Sequence, residues 1–418
     1  MHTPPADDPS SIPAPDAPQR KPLGPGALAA VLASLSMLGP FSIDAYLPAF
    51  PNIQATLHAT PLQVQQTLTA YMLAFAGMVL WHGALSDAFG RRNVILVSLV
   101  AFLLGTVGCA AAHSVQYLWF FRVLQGVSAG AGVVVGRAII RDLYADAAAA
   151  RLLSMVTMIF SIAPAVAPVL GGFIVKYSDW RSIFLALAGY TVGLFIVCYR
   201  RLPDTLPREK RQPFNPRYLW RNYSAILSAP RFHLKTGVVA FNFAGLFLYI
   251  TAAPVALPSQ LHLGPDQFAW LFVPAVSGIF LGALAANRIA GKTSFARQIG
   301  FGFGFLVTAA GANVLLHALA APALPWSVLP LFFYTFGMSL AAPAATLLAL
   351  DLFPHIRGTA ASVQSFATTL LGAVVAGVLA PLVSHSLLWL ACGQLALTLT
   401  ALGLWLTARQ LRRKIIPI

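Results

Sequence analysis

An aspartate lies within the first long apolar stretch of the 418-residue sequence, in the segment GPFSIDAYLP at residues 39–48. Of the twelve acidic residues, Asp44 is the one that the sequence pattern puts well inside such a stretch. An ionisable group at membrane depth costs about 2.5–3.5 kcal/mol on insertion scales, so it is retained where another interaction offsets that cost. A buried carboxyl group can be tuned to take up and release a proton. Asp44 is therefore expected to couple protons to transport, with a structural ion pair or a site near the outer interface as the alternative.

Two arginines follow in the apolar segment WFFRVLQGVSAGAGVVVGRAIIRD. Arginine stays charged, so each needs a carboxylate, backbone carbonyls or water. Arg122 is expected near the same membrane face as Asp44, which would allow the two side chains to lie close together. Arg137 is expected nearer the other face, where its side chain can reach the headgroups and anchor the helix.

The composition identifies the setting of these residues as a membrane. The chain is 58% hydrophobic and 9% charged, with a mean hydropathy of +0.75. A bilayer core of about 30 Å needs roughly 20 mostly apolar residues per helix. Twelve runs satisfy this: 27–50, 63–88, 93–112, 115–140, 152–176, 182–199, 232–257, 266–287, 298–319, 326–350, 357–383 and 387–408. The predicted class is an all-α integral membrane protein.

The hydrophilic segments divide these runs into two sets of six. A Pro- and Asp-rich stretch at 1–25 predicts a disordered cytoplasmic tail without a cleavable signal. Residues 26–201 and 232–408 are predicted to form two six-helix bundles, with a linker at 202–231 and a tail at 409–418. Passage for cargo is expected between the bundles. Cys109, Cys198 and Cys392 have unrelated spacings within apolar runs, which favours packing over disulfides or a metal site.

The formal net charge of +15 is a topology signal, because the cations fall in every second loop. Arg20 and Lys21 precede the first run and Arg91 and Arg92 follow the second, whereas the intervening loops hold only Lys176 and Arg181. This bias predicts that both termini are cytoplasmic. Anionic membrane lipids, and not nucleic acid, are the expected partners of the basic loops. The same positive-inside bias is seen for the cations from Arg200 to Lys235 and for Arg297 and Lys414.

The loop after the second run carries an acid at a helix end and two cations beyond it, in GALSDAFGRR. Asp87 can pair with Arg91 or Arg92 or cap a helix, and a solvated turn is the alternative. The sequence HGALSDAFGRRNVIL resembles the cytoplasmic signature of the major facilitator superfamily, with matches that include Gly83, Asp87, Gly90 and Arg91. The resemblance implies a conformational latch at these four residues. Ala88 departs from the pattern, where an arginine is usual.

Two further motifs resemble the same superfamily. RVLQGVSAGAG at 122–132 is similar to the fourth-helix motif, whose arginine is implicated in proton coupling. APAVAPVLGG is similar to the fifth-helix antiporter motif and contains Pro164, Pro168, Gly171 and Gly172. SIDAYLPAFP and LFPHIRGTAASVQSF look like the bicyclomycin-resistance (Bcr/CflA) branch of drug transporters. That branch implies a bacterial inner-membrane antiporter with the major facilitator fold, which exports amphipathic drugs against protons. A monomer is expected.

This family implies alternating access, with Asp44 accepting a proton and Arg122 stabilising its charged form. Protons are the coupling ions, and no other cofactor and no enzymatic activity are expected. The predicted cargo-binding residues are aromatic or uncharged polar: Tyr46, Tyr71, Asn242, Phe243, Phe247, Tyr249 and Gln364. A metabolite exporter or proton symporter of the same fold is the alternative function, and a non-transporting membrane receptor is the alternative from another class.

Overall fold

The computed structural model describes residues 23–160, 162–211 and 214–413. Residues 1–22 of the predicted N-terminal tail, which include Arg20 and Lys21, lie outside these ranges. Residues 414–418 of the predicted C-terminal tail, beginning with Lys414, lie outside them as well.

The described residues form seventeen α-helices joined by short turns. They are α1 Pro25–Asp44, α2 Phe50–Leu57, α3 Pro61–Phe89, α4 Arg91–Ala110, α5 Val115–Ala129, α6 Ala131–Leu143, α7 Asp146–Phe160, α8 Ala163–Tyr177, α9 Arg181–Arg201, α10 Pro216–Leu227, α11 Pro230–Leu261, α12 Ala269–Ile289, α13 Phe295–Leu319, α14 Leu329–Leu350, α15 Arg357–Val374, α16 Ala380–Val383 and α17 Leu387–Arg413. A π-helical turn, Val375–Leu379, joins α15 to α16.

Twelve helical segments in the described ranges are long and apolar enough to cross a membrane. Four of them combine consecutive helices: Pro25–Leu57, Val115–Leu143, Arg151–Tyr177 and Pro354–Val383. The predicted all-α fold with twelve membrane helices is confirmed. Many large apolar side chains face outward, such as Val97 at 69% exposure and Phe120 at 64%, as expected of a surface in contact with lipid.

The chain packs as two halves. In the first half α4 lies against α5 and α9, and α3 packs on α5; in the second, α14 packs on α12 and α13, and α11 on α17. The halves meet where α3 packs on α15 and where α8 packs on α12. Successive spans alternate in direction, so the turns beside Arg91 and Arg297 lie at one end of the molecule. That end is called the basic end, and the other the opposite end.

The first span is longer than the sequence predicts. It runs from Pro25 to Leu57, whereas the predicted run ends at residue 50. The reason is that α1 ends at Asp44, a 3₁₀ turn Leu47–Ala49 follows, and α2 continues to Leu57. Asp44 is thus the last residue of α1 and lies before the end of the span.

The linker contains a helix. In α10, Tyr223 and Ile226 are buried against Phe232 and against Ala360 and Val363 of α15. The linker therefore packs on the second half at the basic end and contributes to the site below.

Candidate functional site

A cavity of about 820 Å³ lies between the two halves. Its inner wall includes Gly39 and Ile43 of α1, and its rim includes Asp87, Arg91 and His355 at the basic end. The linker residues Phe214, Asn215 and Tyr223 also line it. The cavity is therefore reached from the basic end, and its volume suits a drug-sized molecule.

Polar contacts between the halves close the opposite end. Gln65 donates a hydrogen bond to the Ala376 carbonyl at 2.9 Å, and Gln66 donates one to Gly377 at 3.0 Å. Both carbonyls belong to the π-helical turn, where α-helical hydrogen bonding is interrupted. Lys176 of the first half and Asp266 of the second form an ion pair of 2.7 Å.

Asp44 is buried, at 6% exposure, between the cavity and this closed end. Ile43 lines the cavity, whereas Asp44 is absent from its wall. Within the described ranges, no hydrogen bond or ion pair is formed by the Asp44 carboxyl group. A buried carboxyl without a counter-ion is most stable as the uncharged acid. Asp44 therefore occupies a site where changes in hydration or neighbours can alter its protonation.

Arg122 is fully buried and does not pair with Asp44 in this conformation. Its Nη1 donates to the Ser42 carbonyl at 3.0 Å and to Gln125 Oε1 at 2.9 Å. The guanidinium carbon lies 4.8 Å from the Tyr46 ring centroid and 4.3 Å from that of Tyr71. Two aromatic faces and neutral oxygens, not a carboxylate, surround this cation. Its predicted role in proton coupling remains a prediction.

The polar residues that hold Arg122 in place were not predicted from the sequence. Gln125, one helical turn further on, also donates to Thr106 Oγ1 at 2.8 Å. Gly105 faces the Gln125 backbone so closely that a Cβ there would be 2.9 Å from its nitrogen. The i, i+3 spacing of Arg122 and Gln125 was the available signal.

The expectation for Arg137 as a lipid anchor is wrong. Arg137 lines the cavity together with Val133, Val134 and Arg141. These positions share one face of α6 because they are separated by three or four residues. That face points to the space between the halves, so the side chain is directed inward.

Four of the predicted cargo-binding residues line the cavity: Tyr71, Phe243, Phe247 and Gln364. Phe243 and Phe247 stack with ring centroids 5.5 Å apart. The other three are buried away from it. Tyr46 bonds Thr67 at 2.7 Å, Tyr249 accepts from Asn313, and the Asn242 carbonyl accepts from Tyr334. In this conformation, the Tyr46 and Tyr249 side chains have polar partners in place of cargo contacts. The Asn242 contact involves its backbone carbonyl, and its buried side-chain Oδ1 has no hydrogen-bond partner among the described residues.

The residues of the predicted latch come together at the basic end. Arg91 forms ion pairs with Asp87 and, at 3.0 Å, with Asp142, and it also donates to Ser86. Gly90 has φ +91°, and a Cβ there would overlap Asp204 and Arg211. Gly83 lines the cavity and faces Val134. The cluster lies wholly within the first half and the adjoining linker.

Asp142 and Asp204 were not predicted as members of this cluster. Asp142 pairs with Arg91 from the end of α6, and Asp204 accepts the Arg91 backbone N–H at 3.1 Å. Arg92, the alternative partner of Asp87, instead donates to the Tyr199 carbonyl at 2.7 Å. The spacing along the chain gives no signal for such distant pairings.

The predicted antiporter motif lies at the contact between the halves. Pro164 is in the first turn of α8 and Pro168 is inside the helix. A Cβ on Gly171 would overlap the Ala45 backbone, next to Asp44, and a Cβ on Gly172 would overlap Pro265 of the second half. The two glycines thus allow α8 to contact both elements closely.

At the mouth of the cavity, the Tyr223 hydroxyl donates to the Leu80 carbonyl, which ties the linker to α3. Burial raises the pKa of Tyr223 to about 12, so the hydroxyl remains a donor at neutral pH. The described residues contain no cluster of three or more potential metal ligands, and all three cysteines have free thiols.

Two halves of six spans, packed around a cavity that is open at one end, form the fold of a membrane transporter. The chain belongs to the Major Facilitator Superfamily, whose sequence model matches residues 32–377. The resemblance of the three motifs to that superfamily is therefore confirmed.

Individual relatives support this assignment. The chain is 29% identical to a bicyclomycin resistance protein homolog of Haemophilus influenzae, over 84% of this chain and 87% of the relative. It is 27% identical to multidrug resistance protein D of Escherichia coli, over 90% of this chain and 92% of the relative. A solved structure of a bacterial homolog of the lysosomal transporter Spinster, inward-facing and unoccupied, matches with a TM-score of 0.70 at 16% identity, covering 92% and 96%. The similarity to that solved structure shows the fold alone.

Proposed function

We propose that this protein exports amphipathic drugs across the bacterial inner membrane in exchange for protons, as a monomer working by alternating access. The relatives named for bicyclomycin and multidrug resistance support drug export. The observation that carries the proposal is the cavity between the halves, which is open at the basic end and closed at the other by Lys176 and Asp266.

The distribution of cations supports a cytoplasmic basic end with both termini inside. In that orientation the described conformation is inward-open and accepts cargo from the cytoplasm or inner leaflet. The stacked rings of Phe243 and Phe247 supply an apolar surface that tolerates varied ligands. Closure of the basic end and separation of α8 from Pro265 would then expose the cargo to the other side.

Asp44 is the proposed proton carrier. It is buried next to Ala45, whose backbone contacts Gly171 of α8, so movement of α8 would change its surroundings. Protonation from the outside would favour return to the inward-open state, with Arg122 stabilising the carboxylate in an intermediate conformation. Protons are the coupling ions in this scheme, and no other cofactor is invoked.

The test compares drug susceptibility of cells that express wild type, Asp44→Asn or Asp179→Asn. Asparagine is nearly isosteric with the acid but cannot carry a proton, so Asp44→Asn should abolish protection against chloramphenicol and bicyclomycin. Asp179 is exposed and pairs with Arg181 outside the cavity, so its variant should retain protection. Full protection by Asp44→Asn would refute proton coupling through this residue. A receptor or metabolite transporter would give no protection even in wild type.

A further inference from the structure

Two guanidinium groups on the cavity wall, those of Arg137 and Arg141, have no partner among the described residues. Arg137 and Arg141 are one turn apart on α6 and both line the cavity. Neither side chain forms a hydrogen bond or an ion pair with any residue in the described ranges. The mechanism proposed above uses neither of them.

The other charges of the lining do not neutralise this pair. Arg91 is held by Asp87 and Asp142, and Asp87 is the sole acid on the described wall. Arg137 lies one turn deeper in its span than Arg141 and thus further from this rim cluster. Fully buried Arg122, which has no acidic partner among the described residues, adds a third cation behind the Tyr71 ring.

The facing wall is rich in uncharged donors. From α15 it presents the hydroxyl groups of Ser362, Ser365 and Thr369, and the side chain of Gln364. The Gln364 Nε2 group is buried and lacks an acceptor among the described residues. A cavity with free cations on one side and hydroxyl and amide donors on the other is suited to an anion.

We infer that the cavity binds organic anions in preference to neutral molecules of the same shape, the preferred ligands being amphipathic molecules with a carboxylate, sulfonate or phosphate group beside an apolar body. Neutral drugs would bind through the apolar surface alone. The anionic group binds Arg137 and Arg141, and the apolar body lies deeper, against Phe243 and Phe247. This inference rests on the proposed export function and specifies its substrate class.

The positive charge of the cavity lining predicts a preference for anions over neutral and cationic molecules. Bidentate hydrogen bonds between guanidinium and an oxyanion are strong where water is partly excluded, whereas a cationic molecule would be repelled. An anionic lipid headgroup has the same chemistry and could occupy the same arginines from the membrane. The experiment must therefore vary lipid and probe separately.

Binding of N-dansyl-phenylalanine and of its neutral carboxamide is measured by dansyl fluorescence with the full chain in phosphatidylcholine nanodiscs. The two probes differ in one negative charge. Wild type should bind the carboxylate about tenfold more tightly than the amide. Arg137→Gln and Arg141→Gln should each reduce carboxylate affinity severalfold and leave amide affinity unchanged. Arg137→Lys should retain most of the preference because it keeps the charge.

Arg297→Gln is the matched control, since it removes one exposed cation outside the cavity wall. It should leave both affinities unchanged. Equal binding of the two probes by wild type, or equal losses for both probes in Arg137→Gln, would overturn the inference. So would loss of the preference in nanodiscs that contain phosphatidylglycerol, because the arginines would then be binding headgroups.

The two proposals fail in different ways. If cells are protected against chloramphenicol but the purified protein does not distinguish the probes, drug export stands and the anion inference is wrong. If the carboxylate is preferred but proteoliposomes do not move it in response to a proton gradient, the binding site stands and proton-coupled export of this class is wrong.

Discussion

The guanidinium group of Arg122 lies over the Tyr71 ring, with its central carbon 4.3 Å from the ring centroid. Tyr71 also lines the cavity, so a single aromatic ring separates this buried cation from the cavity between the halves. The Tyr71 hydroxyl donates to the Gly39 carbonyl at 3.3 Å, which fixes the ring against α1. A ligand that displaces the ring would therefore disturb both Arg122 and the helix that carries Asp44.

This arrangement predicts that the ring matters more than the hydroxyl. Tyr71→Leu should destabilise the protein by about 1–2 kcal/mol, because a desolvated cation–π contact is lost. Tyr71→Phe keeps the ring and should cost less than half of that. Thermal unfolding of the purified protein in detergent measures both effects. Tyr117→Leu is the control because Tyr117 is 64% exposed, and it should change little. Equal losses for the Phe and Leu variants would assign the effect to the hydroxyl.

The glycines of α8 give a second prediction. Gly171→Ala and Gly172→Ala place a methyl group in the Ala45 and Pro265 backbones, which cannot move aside as a flexible side chain would. Gly172→Ala should block closure of the opposite end, whereas Gly171→Ala should displace the Ala45 backbone beside Asp44 within the first half. Each should reduce drug export at least tenfold, as measured by accumulation of a fluorescent substrate. Gly189→Ala is the matched control, since a Cβ there meets nothing within 4 Å. Normal export by Gly172→Ala would mean that the contact with Pro265 is dispensable.

The spans were predictable from the sequence because membrane depth imposes a long apolar run on every helix. Asp44 was recognised for the same reason, as the exception within such a run. The distance of Asp44 from the end of the span was not predictable. The sequence around Pro48 indicates a helix end, but the 3₁₀ turn Leu47–Ala49 continues the span to Leu57.

Tertiary contacts were beyond reach of the sequence pattern. Arg91 meets Asp142 and Asp204, which are remote along the chain. Tyr46 and Tyr71 were both predicted to bind cargo, but only Tyr71 lines the described cavity. The sequence could not distinguish them, because an apolar helix has no polar face that indicates which side lines a cavity. The same ambiguity concealed the inward direction of Arg137.

The turn between α3 and α4 yields a third prediction, which separates backbone strain from crowding. Gly90 and Gly291 both have positive φ, at +91° and +75°. Alanine at either position should cost about 1–3 kcal/mol in backbone strain. At Gly90 a Cβ would also overlap Asp204 and Arg211, whereas at Gly291 nothing lies within 4 Å. Gly90→Ala should therefore lower the melting temperature more than Gly291→Ala and also lower export. Equal shifts would indicate that the acid cluster around Arg91 adjusts freely.

The ion pair between Lys176 and Asp266 yields the last prediction, because it joins the two halves at the closed end. Both side chains are partly exposed, so the pair contributes little to overall stability. Its effect is on the balance between conformations, since it exists only while that end is closed. Lys176→Asp and Asp266→Lys should each weaken closure through like-charge repulsion and reduce export severalfold. The double variant restores opposite charges and should recover most of the activity.

The pair Arg181–Asp179 provides the control for this charge swap. It lies at the same end but within the first half, with a separation of 3.0 Å. Single reversals at Arg181 or Asp179 should leave the balance between conformations unchanged, because neither residue contacts the second half through this pair. Cysteine accessibility at the opposite end reports that balance directly. The double swap of Lys176 and Asp266 would contradict this prediction if it stayed as inactive as the single variants. The two charges would then act on cargo or protons separately, and closure would depend on the contact of Gly172 with Pro265 and on Gln65 and Gln66.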